Sequence, residues 1–358
     1  MLFRSLAGMF GFHAASNVAL VSTLILLHNI FAATHDIAID AMAVRVVPPL
    51  EMGTANGCMF AAQYVGIGLG GSGALAVSGW LGFPAALIFL LLSMLVLFLG
   101  VTLPLREPPD EQPFLRPEGL SLGGAILERI RQFLCDLYAG FFRSGPGPLA
   151  AAFFAAFPHG AMALSLATAA TLQVDMKLSE QLISTFSLLG NLVGAVGSFL
   201  GGWLADRTAS PRGCILGSYL ASAAVTVYLS FQFLGTGAAG LTVTLFVWIY
   251  LFYNLAYGVQ QGSSTGMYMQ LSSKAVAATQ FTGFMALANL SLTYSSAWQG
   301  KIVDAHGYPY MFQMDALLGL TGLLILPLLK PKKHAVQTPA SITVATSQAA
   351  AEAASAGD

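Results

Sequence analysis

Apolar residues run along this chain in blocks of about 20, the length that carries an α-helix across a bilayer. The blocks lie near 13–35, 56–80, 83–104, 149–171, 182–204, 213–234, 241–263, 276–299 and 309–329. They predict about nine membrane spans, three ahead of one long polar interruption and six behind it. Residues 31–40 prolong the first span to about residue 45. The alternation expected of a transmembrane β-barrel is absent. Backbone groups in hydrocarbon must bond to one another, so these blocks imply helices. The fold class is an all-α polytopic membrane protein.

The interruption, 105–147, opens Pro-Leu-Arg106-Glu-Pro-Pro-Asp-Glu-Gln-Pro and closes Arg143-Ser-Gly-Pro-Gly-Pro. Its charge and proline content read as a soluble linker, with room for a short surface helix over 127–142. It divides the chain into a partial N-terminal bundle (1–104), the linker (105–147) and a C-terminal bundle (148–330). The remainder, 331–358, turns to Ala, Ser and Thr and has too little apolar bulk to pack, which predicts a disordered tail.

Charge sets an expected orientation, because cytoplasmic loops collect Lys and Arg. With the linker cytoplasmic, twelve of the fifteen Lys and Arg residues fall on that side, leaving only Arg4, Lys177 and Lys301 outside. The N-terminus is then outside and the C-terminus cytoplasmic, in a multi-pass protein of the cell's inner membrane. Only 9% of residues are charged, against about 25% in soluble domains. The net charge of −1 offers no basic surface for nucleic acid. Cys58, Cys135 and Cys214 are scattered and in no metal-binding spacing, so they read as small packing residues. No cofactor or metal is called for, and no P-loop is present.

The fifth span ends in the most informative stretch. Gly190, Gly194, Gly197 and Gly201 recur at four, three and four, a face that lets a neighbouring helix approach closely. Gly202-Trp-Leu-Ala-Asp206-Arg207 then makes a turn with a charge pair at the helix end. This resembles the Gly-x-x-x-Asp-Arg/Lys loop of the major facilitator superfamily, which joins the second and third helices of each six-helix half. Two spans precede it after the linker and four follow, so the C-terminal bundle reads as one complete half. The three spans before the linker then correspond to the fourth, fifth and sixth helices, and the first three are not in this chain. The chain would be a truncated or non-transporting form, or one that needs an N-terminal segment or a partner subunit.

Within that superfamily several stretches resemble the anhydromuropeptide permease and acetyl-coenzyme A transporter group. They are His35-Asp36-Ile37-Ala-Ile-Asp40, the glycine-rich Gly53–Gly57 and Gly66–Gly73 stretches, Phe252-Tyr-Asn254-Leu, Ala277-Ala-Thr-Gln280-Phe and Asp304-Ala-His-Gly307-Tyr. Gln63-Tyr64 stands where the permeases carry Tyr-Arg, exchanging a buried cation for a phenol. The resemblance implies a secondary transporter rather than an enzyme, with a small polar solute and protons as its partners and the bilayer around it. There is then no catalytic residue.

Four places carry candidate chemistry. On a helical wheel of the first span, Asn17, His28 and His35 form one stripe and Asn29, Asp36 and Asp40 another about 100° away. They read as a proton or solute path, or as anchors of the helix end. Tyr250, Asn254, Tyr257 and Gln261 recur at four, three and four on the seventh span, suiting either a water-filled cavity or helix–helix hydrogen bonding. Pro158-His159-Gly160 interrupts the fourth span, reading as a solute-facing kink or a plain one. Asp315 lies inside the last span with no evident partner. As an alternative function, Asp36 and Asp40 at i and i+4 could hold Mg²⁺ in an intramembrane enzyme, although no His-Glu-x-x-His or further acidic cluster accompanies them.

Overall fold

The computed structural model describes residues 18–105, 121–208, 210–236, 241–272 and 276–330. The expected tail, 331–358, the start of the first span and most of the proline-rich part of the linker lie outside them. Among the described residues there is no strand. The described residues open with α1 (Val18–Val46), α2 (Met52–Ile67) and, through a π-helical turn at Gly68–Gly73, α3 (Ala74–Leu81). Then come α4 (Phe83–Leu97) and α5 (Leu122–Tyr138). The C-terminal part comprises α6 (Pro146–Ala156), α7 (Ala167–Asp175), α8 (Glu180–Arg207), α9 (Pro211–Thr236), α10 (Val243–Leu271) and α11 (Ala277–Thr321).

Local chemistry sets several of the ends. Ser179 and Thr242 sit in extended backbone and accept the amides of Leu182 and Leu245, capping α8 and α10. Glu180 in the first turn of α8 and Arg207 in its last complement the helix dipole. Pro146 and Pro211 open α6 and α9, where a missing amide costs nothing. In α5 the Arg131 guanidinium bonds Glu128 at 2.7 Å and holds that carboxyl below its usual range. Leu127, Ile130 and Leu134 stand exposed along α5.

Among the described residues, seven segments are long and apolar enough to cross a membrane, against the nine expected. The difference has two sources. The expected spans 276–299 and 309–329 lie in α11, which is a hairpin of two helices. Gly307 has φ 80° and ψ 175°, and Pro309 follows it. Residues sixteen apart on a straight helix stand about 24 Å apart, yet Gln299 donates to Asp315 at 2.8 Å. The chain therefore reverses at Gly307. The other source is a correction: the expected span 149–171 is not one helix. It is broken into α6 and α7 with irregular backbone over 157–166.

α8 is the central element, packed along α2 on one side and α10 on the other, and α10 also packs on α2 and α9. The approach is backbone to backbone. A Cβ at Gly57 would fall 2.6 Å from the Ser198 carbonyl, and one at Gly266 would fall 2.7 Å from the Gly53 Cα. The glycine face seen in the sequence of α8 is thus matched by glycines on both neighbours. α9 packs on α11, and α11 meets α1.

A broken helix held by side chains as the candidate functional site

The break between α6 and α7 leaves backbone groups that a continuous helix would have bonded. Inside a membrane protein these must find other partners. The described structure supplies them from three helices. Asp315 on the second limb of α11 accepts the Met162 amide on Oδ1 and the Ala163 amide on Oδ2, both at 3.0 Å. Ser222 on α9 accepts the Ala161 amide at 3.3 Å. Tyr253 on α10 donates to the Ala161 carbonyl at 2.7 Å, and Gln260 on α10 donates to the His159 carbonyl. Ser291 and Tyr294, on the first limb of α11, donate to the Phe157 and Ala156 carbonyls at 3.0 and 2.7 Å. Gly160 turns the chain with φ 65°, and Gly319 brings the second limb of α11 against it. Asp315 and Gly319 are one turn apart, so a single helix face both touches and caps the break.

His159 is buried within this shell. Its Nε2 lies 3.1 Å from the Tyr268 hydroxyl and its Nδ1 3.3 Å from Ser291 Oγ. The predicted kink is therefore present, and its histidine bridges the break to α10 and α11. Asp315 has the partners its sequence did not reveal. Gln299 donates to its Oδ1 and in turn accepts from Thr168 of α7 at 3.0 Å. Asp315, Gln299, Gln260 and Ser291 were not legible as a set. Only the carboxylate inside an apolar span signalled one member.

The stripe on α10 faces the seam with α8 and α2. Tyr250 lies over Gly190, and Tyr64 of α2 lies over Gly194. Tyr253 and Tyr257 stack with centroids 5.9 Å apart. Asn254 donates to the Tyr250 carbonyl in its own helix, and Gln261 to the Tyr257 hydroxyl at 3.3 Å. Of the expected cavity-lining set, only Gln261 is more than marginally accessible. The stripe is thus packed between helices, while these hydrogen bonds of Asn254 and Gln261 stay within α10. The open apolar cleft on the outside of α9 and α10, lined by Tyr228, Trp248 and Phe252 among others, contains none of these residues.

The two acids of α1 part company. Asp40 is buried, whereas His35 and Asp36 are exposed and His28 is half-buried. The pair therefore does not present both carboxylates to one site. Among the described residues no three His, Cys, Asp or Glu side chains come together to hold a metal.

The last turn of α8, after Gly202, docks on α2. Asp206 accepts the Gly53 amide at 3.0 Å, the Thr54 amide at 2.6 Å and the Thr54 hydroxyl at 2.8 Å. A carboxylate there satisfies the free donors at a helix start and sits at the positive end of its dipole. A Cβ at Gly53 would meet that carboxylate at 2.5 Å, so glycine keeps the acceptor within reach. Arg207 lies over the Trp203 ring, 5.0 Å from its centroid.

Comparison with known proteins agrees with this architecture. The anhydromuropeptide permeases of Escherichia coli strain K12 and of Escherichia coli O157:H7 are each 25% identical to it over 300 residues, 82% of this chain and 57% of theirs. The chain spans about half the length of these curated relatives. The profile described as Major Facilitator Superfamily matches residues 1–296. This multi-pass, all-helical chain belongs to the Major Facilitator Superfamily.

Proposed function

We propose that the chain serves a secondary active transporter that moves a small polar solute across the inner membrane by alternating access, coupled to protons. The observation that carries the reading is the broken α6–α7 span, whose freed backbone is held by side chains of α9, α10 and α11. In transporters, irregular backbone at membrane depth is tolerated where it is buried in protein or lines a path. The glycine seams of α8 with α2 and α10 give flat surfaces on which two bundles rock. The end bearing Asp206 is cytoplasmic in this reading, with the N-terminus outside. No step of the proposal needs enzymatic chemistry.

His28 and Asp36 are the α1 residues assigned to the path, and His159 is the one in the break. Asp40 anchors α1 to the bundle. Exposed ionisable groups on a membrane-length helix belong beside water or other protein. The transporting unit therefore includes further helices over the His35–Asp36 face of α1, from the same polypeptide or from a partner subunit. The name of the relatives supplies the first solute to try, an anhydromuropeptide. In proteoliposomes with an inward proton gradient, the complete transporting unit should accumulate it, or another polar solute of a radiolabelled panel, saturably and only while the gradient lasts. Failure to accumulate any of them, with the protein folded and inserted, overturns the reading.

A further inference from the structure

We propose that Asp315 is a proton-binding site whose occupancy latches and releases the irregular segment between α6 and α7. The carboxylate is buried, 2% exposed. Its three partners are the amides of Met162 and Ala163 and the side chain of Gln299, and none of them carries a charge. Oδ1 accepts two of these bonds and Oδ2 only one. An acceptor set of this kind suits the ionised form, since each bond is charge-assisted. A buried charge without a charged partner, however, is the costly member of its acid–base pair. The two requirements oppose each other at one oxygen, Oδ2, which has a lone pair left for a proton.

The balance is simple. A proton from water forms an O–H bond on Oδ2, and no other covalent bond changes. The Ala163 and Met162 bonds lose their charge assistance, and the new hydroxyl, on the lone pair that Ala163 does not use, needs an acceptor of its own. The two amides then keep only weaker, neutral acceptors, because the break denies them helical ones. The Ala161 amide is unaffected, since its acceptor is Ser222 on α9. The titratable groups on the surrounding elements include Tyr219 of α9, Tyr250, Tyr253, Tyr257 and Tyr268 of α10, Asp304 and His306 near the turn of α11, His159 in the break, and Asp175 at the far end of α7. That last carboxylate is engaged at 2.6 Å by Tyr308 of α11. His159, bonded within the shell around the break, can titrate near neutrality by its chemical type, so it has to be separated from Asp315 by experiment.

Backbone amide hydrogen exchange of the whole chain in lipid nanodiscs tests this without any solute, so the latch and the transport reading fail independently. With labelling times corrected for intrinsic rates, protection is followed from about pH 8 down to about pH 5. Protection at Met162 and Ala163 should fall on acidification, by up to about tenfold per pH unit for a single controlling proton, while that at Ala161 stays. In Asp315→Asn both amides should exchange fast at every pH. In His159→Gln the pH response should persist, which keeps the test decisive if the first variant does not insert. Protection at Met162 and Ala163 that is independent of pH in the wild-type chain overturns the proposal. So does a pH response that disappears in His159→Gln.

Discussion

A single side chain, Asp206, ties the last turn of α8 to the start of α2 with three hydrogen bonds, two of them to backbone amides. Its removal leaves donors that the helix itself cannot satisfy, at a cost of about 1–3 kcal/mol. Thr54→Val removes only the hydroxyl bond and should cost about 0.5–1.5 kcal/mol. Thermal unfolding of the purified variants in detergent should rank Asp206→Ala below Thr54→Val, and both below wild type. Equal melting temperatures for Asp206→Ala and wild type would remove the cap from the account. Asp206 was legible in sequence because a carboxylate at a helix end after a glycine face is a rare combination in an apolar chain. Thr54 was not, because its role depends on a residue more than 150 positions away. Asp315 falls between these cases. Its burial in a span announced a role, but its partners lie across a chain reversal and a broken helix.

At the scale of elements, close packing separates glycines that look alike in sequence. A Cβ at Gly202 would run into the Gly53 carbonyl, whereas one at Gly79 in α3 would meet nothing within 4 Å. Gly202→Ala should therefore push α2 from α8 and cost about 1–3 kcal/mol. Gly79→Ala should cost nothing and gain up to about 1 kcal/mol of helix propensity. Melting temperatures of the two variants decide this, and a destabilising Gly79→Ala would contradict the open surroundings of α3. The helices themselves were legible because apolar length alone dictates them. Their partners were less so. A helical wheel placed Tyr250, Asn254 and Tyr257 on one face correctly, but periodicity is silent about what that face meets. Here it meets the glycines of α8, which make room for rings rather than for water. The reversal at Gly307 was written in Gly307-Tyr-Pro309, and the break in Pro158-His159-Gly160. In both, the glycine takes a positive φ that other residues rarely adopt.

At the scale of the molecule, composition alone established a polytopic helical protein, while the environment of each helix had to come from the structure. α1 is the test case, since it is apolar enough to span yet leaves His35 and Asp36 uncovered. If that face lines a water-filled path, a thiol placed there ionises and reacts, because the thiolate needs water. With Cys58, Cys135 and Cys214 first replaced by serine, Asp36→Cys can be compared with Ile30→Cys. Ile30 is 51% exposed and lies about 120° away round the same helix. A membrane-impermeant maleimide should label position 36 several-fold faster than position 30. Equal, slow labelling would place both sides of α1 against lipid or protein and exclude the path. Charge discriminates further in the complete transporting unit. Asp36→Asn keeps the size of the side chain and removes its ability to carry a proton. It should abolish uptake driven by a proton gradient and leave solute exchange without a gradient intact. Loss of both together would make Asp36 a structural anchor, because a coupling residue is needed only where the gradient does the driving.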